Sequence, residues 1–256
     1  MTVADILKFL DTKAPLCSAE SYDNVGLLAG GESTEVTGVC CCLDITHEVI
    51  KEAAEKGANL IVSHHPVIFG GLKTIPDYSP VAALVRRDIA AIAMHTNFDK
   101  AEGGVNDTLC ELLEFDSAGC DEWHDFDGGF GKYCDIALEF SPKSLAEHVK
   151  EKLMLGGVRY SRKSRSVKRI AVCCGSGISG DTLKAARELG CNAIISGDIK
   201  HNYWIEAESC GIALIDAGHF GTESFAAHRL AKIITIEFPN IHVFSAECEQ
   251  DPCEYI

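Results

Sequence analysis

The chain is poor in positive charge, in aromatic residues and in long apolar runs. Lys and Arg number 23 against 38 Asp and Glu, a formal net charge of −15, which excludes a sequence-independent grip on nucleic acid or an anionic membrane. No apolar stretch approaches the roughly 20 residues that a membrane-spanning helix needs. The first residues, "MTVADILKFLDTK", lack the basic start and long apolar core of a secretory leader, and they predict a short amphipathic helix capped near Thr2. Only 7 prolines fall in 256 residues, and no Pro-rich linker divides the chain. Hydrophobic content of 46% and charged content of 24% are those of an ordinary globular chain with a full-sized core.

Cysteine is abundant, at thirteen residues. Without a leader these are expected to be mostly reduced and buried, acting as small hydrophobes. "CCC" (40–42) and "CC" (173–174) lie inside apolar strand patterns, whereas Cys248 and Cys253 form a C-x4-C spacing that by itself is weak evidence for metal. The composition predicts a cytoplasmic protein.

Short β-branched runs alternate with helical patterns, the mark of an α/β fold in which helices cover a sheet. "VTGVCCCLD" predicts a strand, "THEVIKEAAEKGA" a helix capped by Thr46 and stopped at Gly57, and "NLIVSHH" a strand. Later, "VKRIAVCCGSG", "SGDTLKAARELG" and "CNAIISGD" repeat the order. A shift of 133 places Gly57 on Gly190, Asn59 on Asn192, Val62 on Ile195, Ser63 on Ser196 and Cys41 on Cys174, which predicts an internal duplication. The expected organisation is a single domain over 1–256 made of two βαβ-type halves, about 1–115 and 166–256. A connecting segment (116–165) joins them. "DIAAIAMHTNFD" (88–99) and "GIALIDAGHFG" (211–221) each add a strand ending in a histidine-bearing turn. Ligands gather at the carboxyl ends of strands in such sheets, so "SHHP", "HTNFD", "SGDIKH" and "DAGHFGTES" are expected around one cleft.

Five of the ten histidines, His64, His65, His95, His201 and His219, follow predicted strands, with Asp99, Asp198, Asp216 and Glu223 nearby in sequence. His64 and His65 are adjacent, so on extended chain they point apart. They read either as ligands of two ions or as the polar end of a buried strand. His219 and Glu223 are four apart and share a face if a helix begins there. Asp99 has two oxygens with which to bridge two ions. Imidazoles and carboxylates together suit zinc, iron(II) or manganese. Two such dications outweigh two carboxylates and a bridging hydroxide, leaving positive charge for an anionic or polarised group, and the hydroxide would be a nucleophile at neutral pH. "GSGISG" (175–180) lacks the lysine of a phosphate loop, so its glycines are read as tight-turn residues. The basic run "RYSRKSRSVKR" (159–169) is read as a solvated linker face.

On the stretches "SYDNVGLLAG" (21–30), "LIVSHHPVIF" (60–69), "HTNFDKAEGGVND" (95–107), "GFGKY" (129–133), "SGDIKHN" (196–202) and "DAGHFGTES" (216–224), the chain resembles the NIF-three-like family, also known as GTP cyclohydrolase I type 2 homologues. The resemblance implies a duplicated α/β fold, two divalent metal ions, and assembly of six subunits into a hollow toroid. Carried over by position, it implies His64, His65, Asp99, His219 and Glu223 as metal ligands, with His95 and His201 lining the site as supporting or proton-transfer groups. The segment 116–165 is too short for the extra domain that some members carry. Two functions follow as expectations. One is a metal-dependent hydrolase of a small anionic or heterocyclic, possibly nucleotide, substrate. The other is a non-catalytic metal-binding regulator or scaffold.

Overall fold

The computed structural model of the chain describes residues 1–163 and 166–256. Ser164 and Arg165, inside the basic run, lie outside the described residues. In chain order come α1 (Val3–Lys13), β1 (Gly26–Ala29), β2 (Gly38–Cys42), α2 (His47–Glu55), β3 (Leu60–Ser63), α3 (Pro80–Arg87), β4 (Ala90–Ala93) and α4 (Thr96–Lys100). Next are α5 (Val105–Leu113), β5 (His124–Phe126), β6 (Gly131–Phe140), α6 (Pro142–Lys152), β7 (Arg159–Tyr160), β8 (Val167–Val172) and α7 (Gly180–Glu188). The last are β9 (Ala193–Ser196), α8 (His201–Cys210), β10 (Ala213–Asp216), α9 (His219–Glu223), α10 (Phe225–Glu237) and β11 (His242–Ser245). Among the described residues no helix is long and apolar enough to cross a membrane.

The chain forms two compact units, Met1–Gly104 with Ser224–Gln250, and Val105–Glu223 with Asp251–Ile256. The first holds a five-stranded sheet in the order β1-β4-β3-β2-β11, parallel except for β1. Every residue of β2, β3 and β4 is buried, as expected of parallel strands covered on both faces. Cys40 and Cys42 pack there with Val49, Ile50, Ile61 and Leu84, so the triple cysteine is core. Thr46 caps α2 by accepting from the Val49 N–H, and Thr2 forms a capping box with Asp5.

The second unit holds a six-stranded sheet, β5-β6-β8-β9-β10-β7, with β8, β9 and β10 parallel. The α/β class with helix-covered sheets holds, and each repeat builds a sheet of its own. Antiparallel strands complete each sheet: β1 against β4 in the first unit, β6 against β8 and β7 against β10 in the second. The boundaries differ from the expected halves. Segment 116–165, expected as a connection, supplies β5, β6, α6 and β7 to the second unit. Conversely α10 and β11, late in the chain, belong to the first unit, where β11 pairs with β2.

The repeat is visible residue by residue. α2 and α7 span His47–Glu55 and Gly180–Glu188, and β3 and β9 span Leu60–Ser63 and Ala193–Ser196, both offset by 133. Gly57 and Gly190 end the helices at φ 77° and 76°. Asn59 and Asn192 each accept backbone N–H bonds from the start of the preceding strand, from Thr37 in one repeat and from Lys168 and Arg169 in the other. One equivalence changes. Val62 pairs with Cys41, but its repeat partner Ile195 pairs with Val172, so Cys41 corresponds to Val172 and not to Cys174. The reason is an insertion of two residues after β8. Cys173 N–H donates to the Ile195 carbonyl, while Gly197 N–H donates to the Gly175 carbonyl.

Nine of the thirteen cysteines are buried and all are free thiols. The Cys248 thiol is pushed up to about 12 by burial and by its hydrogen bond to Glu52. Glu52 also accepts from Lys56 Nζ at 2.8 Å and from the Glu247 and Cys248 N–H groups at 3.1 and 3.0 Å. Burial opposes its ionisation, yet these bonds prevail and lower its carboxyl from 4.5 to about 2. A lowered folded pKa stabilises above the unfolded value and is lost as pH falls through the folded one. Acid unfolding should therefore show a stability slope between pH 4.5 and about 2 that Glu52→Gln flattens. At neutral pH the variant should lose about 1–2 kcal/mol in denaturant titrations, solvent screening included.

Candidate metal centre

In the first unit, β2, β3 and β4 are parallel neighbours that end in register at Cys42, Ser63 and Ala93. Asp44, His64, His65 and His95 follow within two residues, so the topology gathers them at one end of the sheet. The Ser63 hydroxyl donates to the His65 carbonyl at 2.7 Å and holds the turn. The three imidazoles form a cluster with ring centroids 5.1, 5.2 and 5.4 Å apart. Each offers a ring nitrogen within 4.8 Å of the others. Asp99, buried in α4, brings Oδ1 to 3.4 Å from His64 Nε2.

Each ring is oriented through Nδ1. His64 Nδ1 faces the Met94 carbonyl, His65 Nδ1 faces Asp44 Oδ1 and His95 Nδ1 faces Asp23 Oδ1, all at 2.8 Å. These oxygens only accept, so Nδ1 carries the proton and the Nε2 lone pair is aimed elsewhere. Carboxylates and carbonyls behind imidazoles in this way are the usual support of metal-ligating histidines.

The supports are themselves anchored. Asp23 accepts from the Thr96 N–H at 3.0 Å and the Thr96 hydroxyl at 2.5 Å. Burial would raise its carboxyl, but the bonds from His95 and Thr96 hold it well below the usual range. The Glu249 carboxylate accepts from the Leu43 and Asp44 N–H groups at 2.9 Å and fixes the turn that presents Asp44 to His65. Burial keeps the Glu249 carboxyl above its ordinary value.

In the second unit, His219 opens α9 and Glu223 closes it, and His219 Nε2 lies 2.8 Å from Glu223 Oε2. His219 Nδ1 faces Asp198 Oδ2 at 2.9 Å, again a carboxylate behind an imidazole. Glu223 is buried. The insertion after β8 places Gly175 against this pair. A Cβ there would run into Glu223 Oε1 and come within 3.1 Å of His219 Nε2, and its φ of +50° also disfavours a side chain. Asn106 Oδ1 pins the insertion by accepting from the Cys174 N–H at 2.9 Å. Asp216, buried at the end of β10, accepts from the Ile199 N–H at 3.1 Å and the Gly218 N–H at 3.0 Å, and it pairs with Arg159. It thereby ties down the turns bearing Asp198 and His219.

The expected residues thus fall into two groups, His64, His65, His95 and Asp99 in the first unit, and His219 and Glu223 in the second. His95 stands in the donor cluster itself. His201 does not join a group: it is exposed at the first turn of α8, because the left-handed turn at Asp198 (φ 47°) leads the chain away from His219. Asp23, Asp44, Glu249 and Gly175 escaped sequence reasoning as parts of the site, whereas Asp216 stood out there as an acid near the histidines. "SYDN" and "CLD" carried the first two as acids beside strands, but Glu249 and Gly175 offered no local signal.

Both groups fit a divalent ion: the donors are imidazole nitrogen and carboxylate oxygen, suited to zinc, iron or manganese. The model of the Duf34/NIF3 (NGG1p interacting factor 3) family matches residues 1–252. The chain belongs to the Duf34/NIF3 family. Among its relatives, a GTP cyclohydrolase 1 type 2 homolog of Clostridium perfringens is 34% identical over 230 residues, 87% of each chain. One of Campylobacter jejuni is 36% identical over 237 residues, 91% of each. A crystal structure of a Staphylococcus aureus hypothetical protein shares the Duf34/NIF3 fold with a TM-score of 0.89 and 32% identity, covering 100% of this chain and 99% of that one. Reduced HcgD from Methanocaldococcus jannaschii follows at 0.83 and 26%, covering 96% and 98%.

Two outcomes test the centre. Gly175→Ala should weaken metal binding at least tenfold in competition titrations while the circular dichroism spectrum stays that of the parent. Asp44→Ala should cost about 10–100-fold in affinity, because it removes the acceptor that sets the His65 ring.

Proposed function

We propose that this Duf34/NIF3 chain is a dinuclear metal protein that hydrolyses a small anionic or heterocyclic molecule. The observation that carries it is the shared support of His64, His65, His95 and His219, each with Nδ1 bonded to an oxygen. Such support suits catalytic metal sites, where ring orientation sets the geometry of the ion. In this reading His64, His65, Asp99, His219 and Glu223 hold two divalent ions; that both units contribute rests on the family resemblance of their motifs. Bound ions supply Lewis acidity and lower the pKa of coordinated water towards about 7.

The chain's own residues then have definite tasks. The charge balance of two carboxylates against two dications favours a substrate with negative charge or a polarised carbonyl or phosphoryl group. His95, with Nδ1 held by Asp23, accepts or delivers a proton at Nε2, and the ionised Asp23 stabilises the imidazolium formed. Asp198 holds His219 in the same way. The printed names of the relatives, GTP cyclohydrolase 1 type 2 homologs, support a nucleotide as a substrate to try first.

Elemental analysis of protein purified without added metal should find two ions per chain, falling to one or fewer in Asp99→Ala and His219→Ala. Turnover across a nucleotide panel should drop by 100-fold or more in both variants. Activity unchanged in both, or parent protein with no bound metal under any loading, would sink this reading. We further propose assembly into a six-chain ring. Light scattering with and without chelator distinguishes a ring that needs the metal from one that ignores it.

A further inference from the structure

Tyr22 and Phe69 are large aromatic side chains left mostly in solvent, 59% and 55% exposed, beside the imidazole cluster of the first unit. Their ring centroids are 6.4 Å apart with planes tilted by 37°, and Phe69 meets the His95 ring edge-on at 6.2 Å. Neither ring sits on loose chain. Asp23, next to Tyr22, bonds His95 and Thr96, and Asn24 Nδ2 donates at 2.5 Å to the carbonyl of Ile68, next to Phe69. A scattered exposed aromatic needs no explanation, but two in contact, each one residue from an anchored neighbour and bordering a cluster of metal donors, are not accounted for by packing.

We propose that Tyr22 and Phe69 form a stacking platform for the planar heteroaromatic ring of the substrate, set at the rim of the His64–His65–His95 cluster. The location rests on the metal-centre reading above; the stacking itself does not need metal. Aromatic faces accept any flat π-system, so the platform selects for planarity and not for one hydrogen-bond pattern. Phe69 edges His95, so a ring seated here would keep its reacting atoms near that imidazole. Leu72, Ile75 and Tyr78, further along the same segment, are also exposed; a surface for a second copy of the chain is therefore the competing use, and the experiment separates it.

The full chain, metal-free and metal-loaded, is titrated with guanosine by ligand-observed NMR, with ribose 5-phosphate as a non-planar anionic comparison. Guanosine should bind both forms. Phe69→Ala and Tyr22→Ala should each weaken it about tenfold, Phe69→Leu should weaken it similarly, and Phe69→Tyr should stay within twofold of the parent. Ribose 5-phosphate should be indifferent to all four variants. The platform is refuted if guanosine does not bind, if the alanine variants bind it as the parent does, or if Phe69→Leu retains full affinity. It is equally refuted if the alanine variants change particle mass in light scattering, which would make the patch a contact between copies. Because the metal-free arm requires no turnover, loss of the hydrolase reading and loss of the platform are told apart.

Discussion

A carboxylate or carbonyl oxygen behind the Nδ1 of an imidazole is the contact around which both donor groups are arranged. An unsupported histidine ring turns about its side-chain bonds and exchanges tautomers, and its lone pair has no fixed aim. Here Met94, Asp44, Asp23 and Asp198 each hold one ring. Each support depends in turn on backbone pinned elsewhere. Glu249 grips the turn before Asp44, Thr96 grips Asp23, and Asp216 grips the residues flanking Asp198 and His219. The donor geometry therefore reaches into the chain well beyond the histidines.

The sheets make this precision possible. β2, β3 and β4 are buried along their whole length, and their ends are in register because cysteine, β-branched and alanine side chains pack on both faces. Side chains placed just past such ends inherit the rigidity of the parallel ladder. In the second unit the same role falls to β8, β9 and β10. The buried cysteines serve this packing; burial pushes the Cys41 and Cys42 thiols far up, which keeps them protonated and unreactive.

The two repeats use one layout differently. In the first, the acid follows β2 and its imidazole follows β3, as Asp44 and His65. In the second, the acid follows β9 and its imidazole follows β10, as Asp198 and His219. Asp198 holds the repeat position of His65, yet it acts as the support and not as the ring supported. The acid–imidazole pair has moved over by one strand. The room this requires comes from the two-residue insertion after β8, which brings Gly175, without a side chain, against His219 and Glu223.

Local pattern determined a good part of this protein. The caps at Thr2 and Thr46, the glycine stops at Gly57 and Gly190, the buried apolar strands and the repeat offset all follow from interactions between residues close in sequence, so they were legible there. The short motifs after strands that carry His64, His65, Asp99, His219 and Glu223 were legible too; that these five residues would ligate metal is what the family resemblance implies. Tertiary structure decided the rest. Sheet partners of β6, β7 and β11 depend on contacts between distant segments, so a stretch read as a connection became three strands of the second sheet. The insertion after β8 was invisible because Cys173 and Cys174 look like continued strand; the pairing of Val172 with Ile195 and the Gly197 N–H bond to the Gly175 carbonyl expose it. His201 read like a fifth site histidine, but one left-handed residue at Asp198 sends it to solvent. Periodicity fixes what a residue buries against; which oxygen stands behind which ring is a matter of chain crossings that no local pattern records.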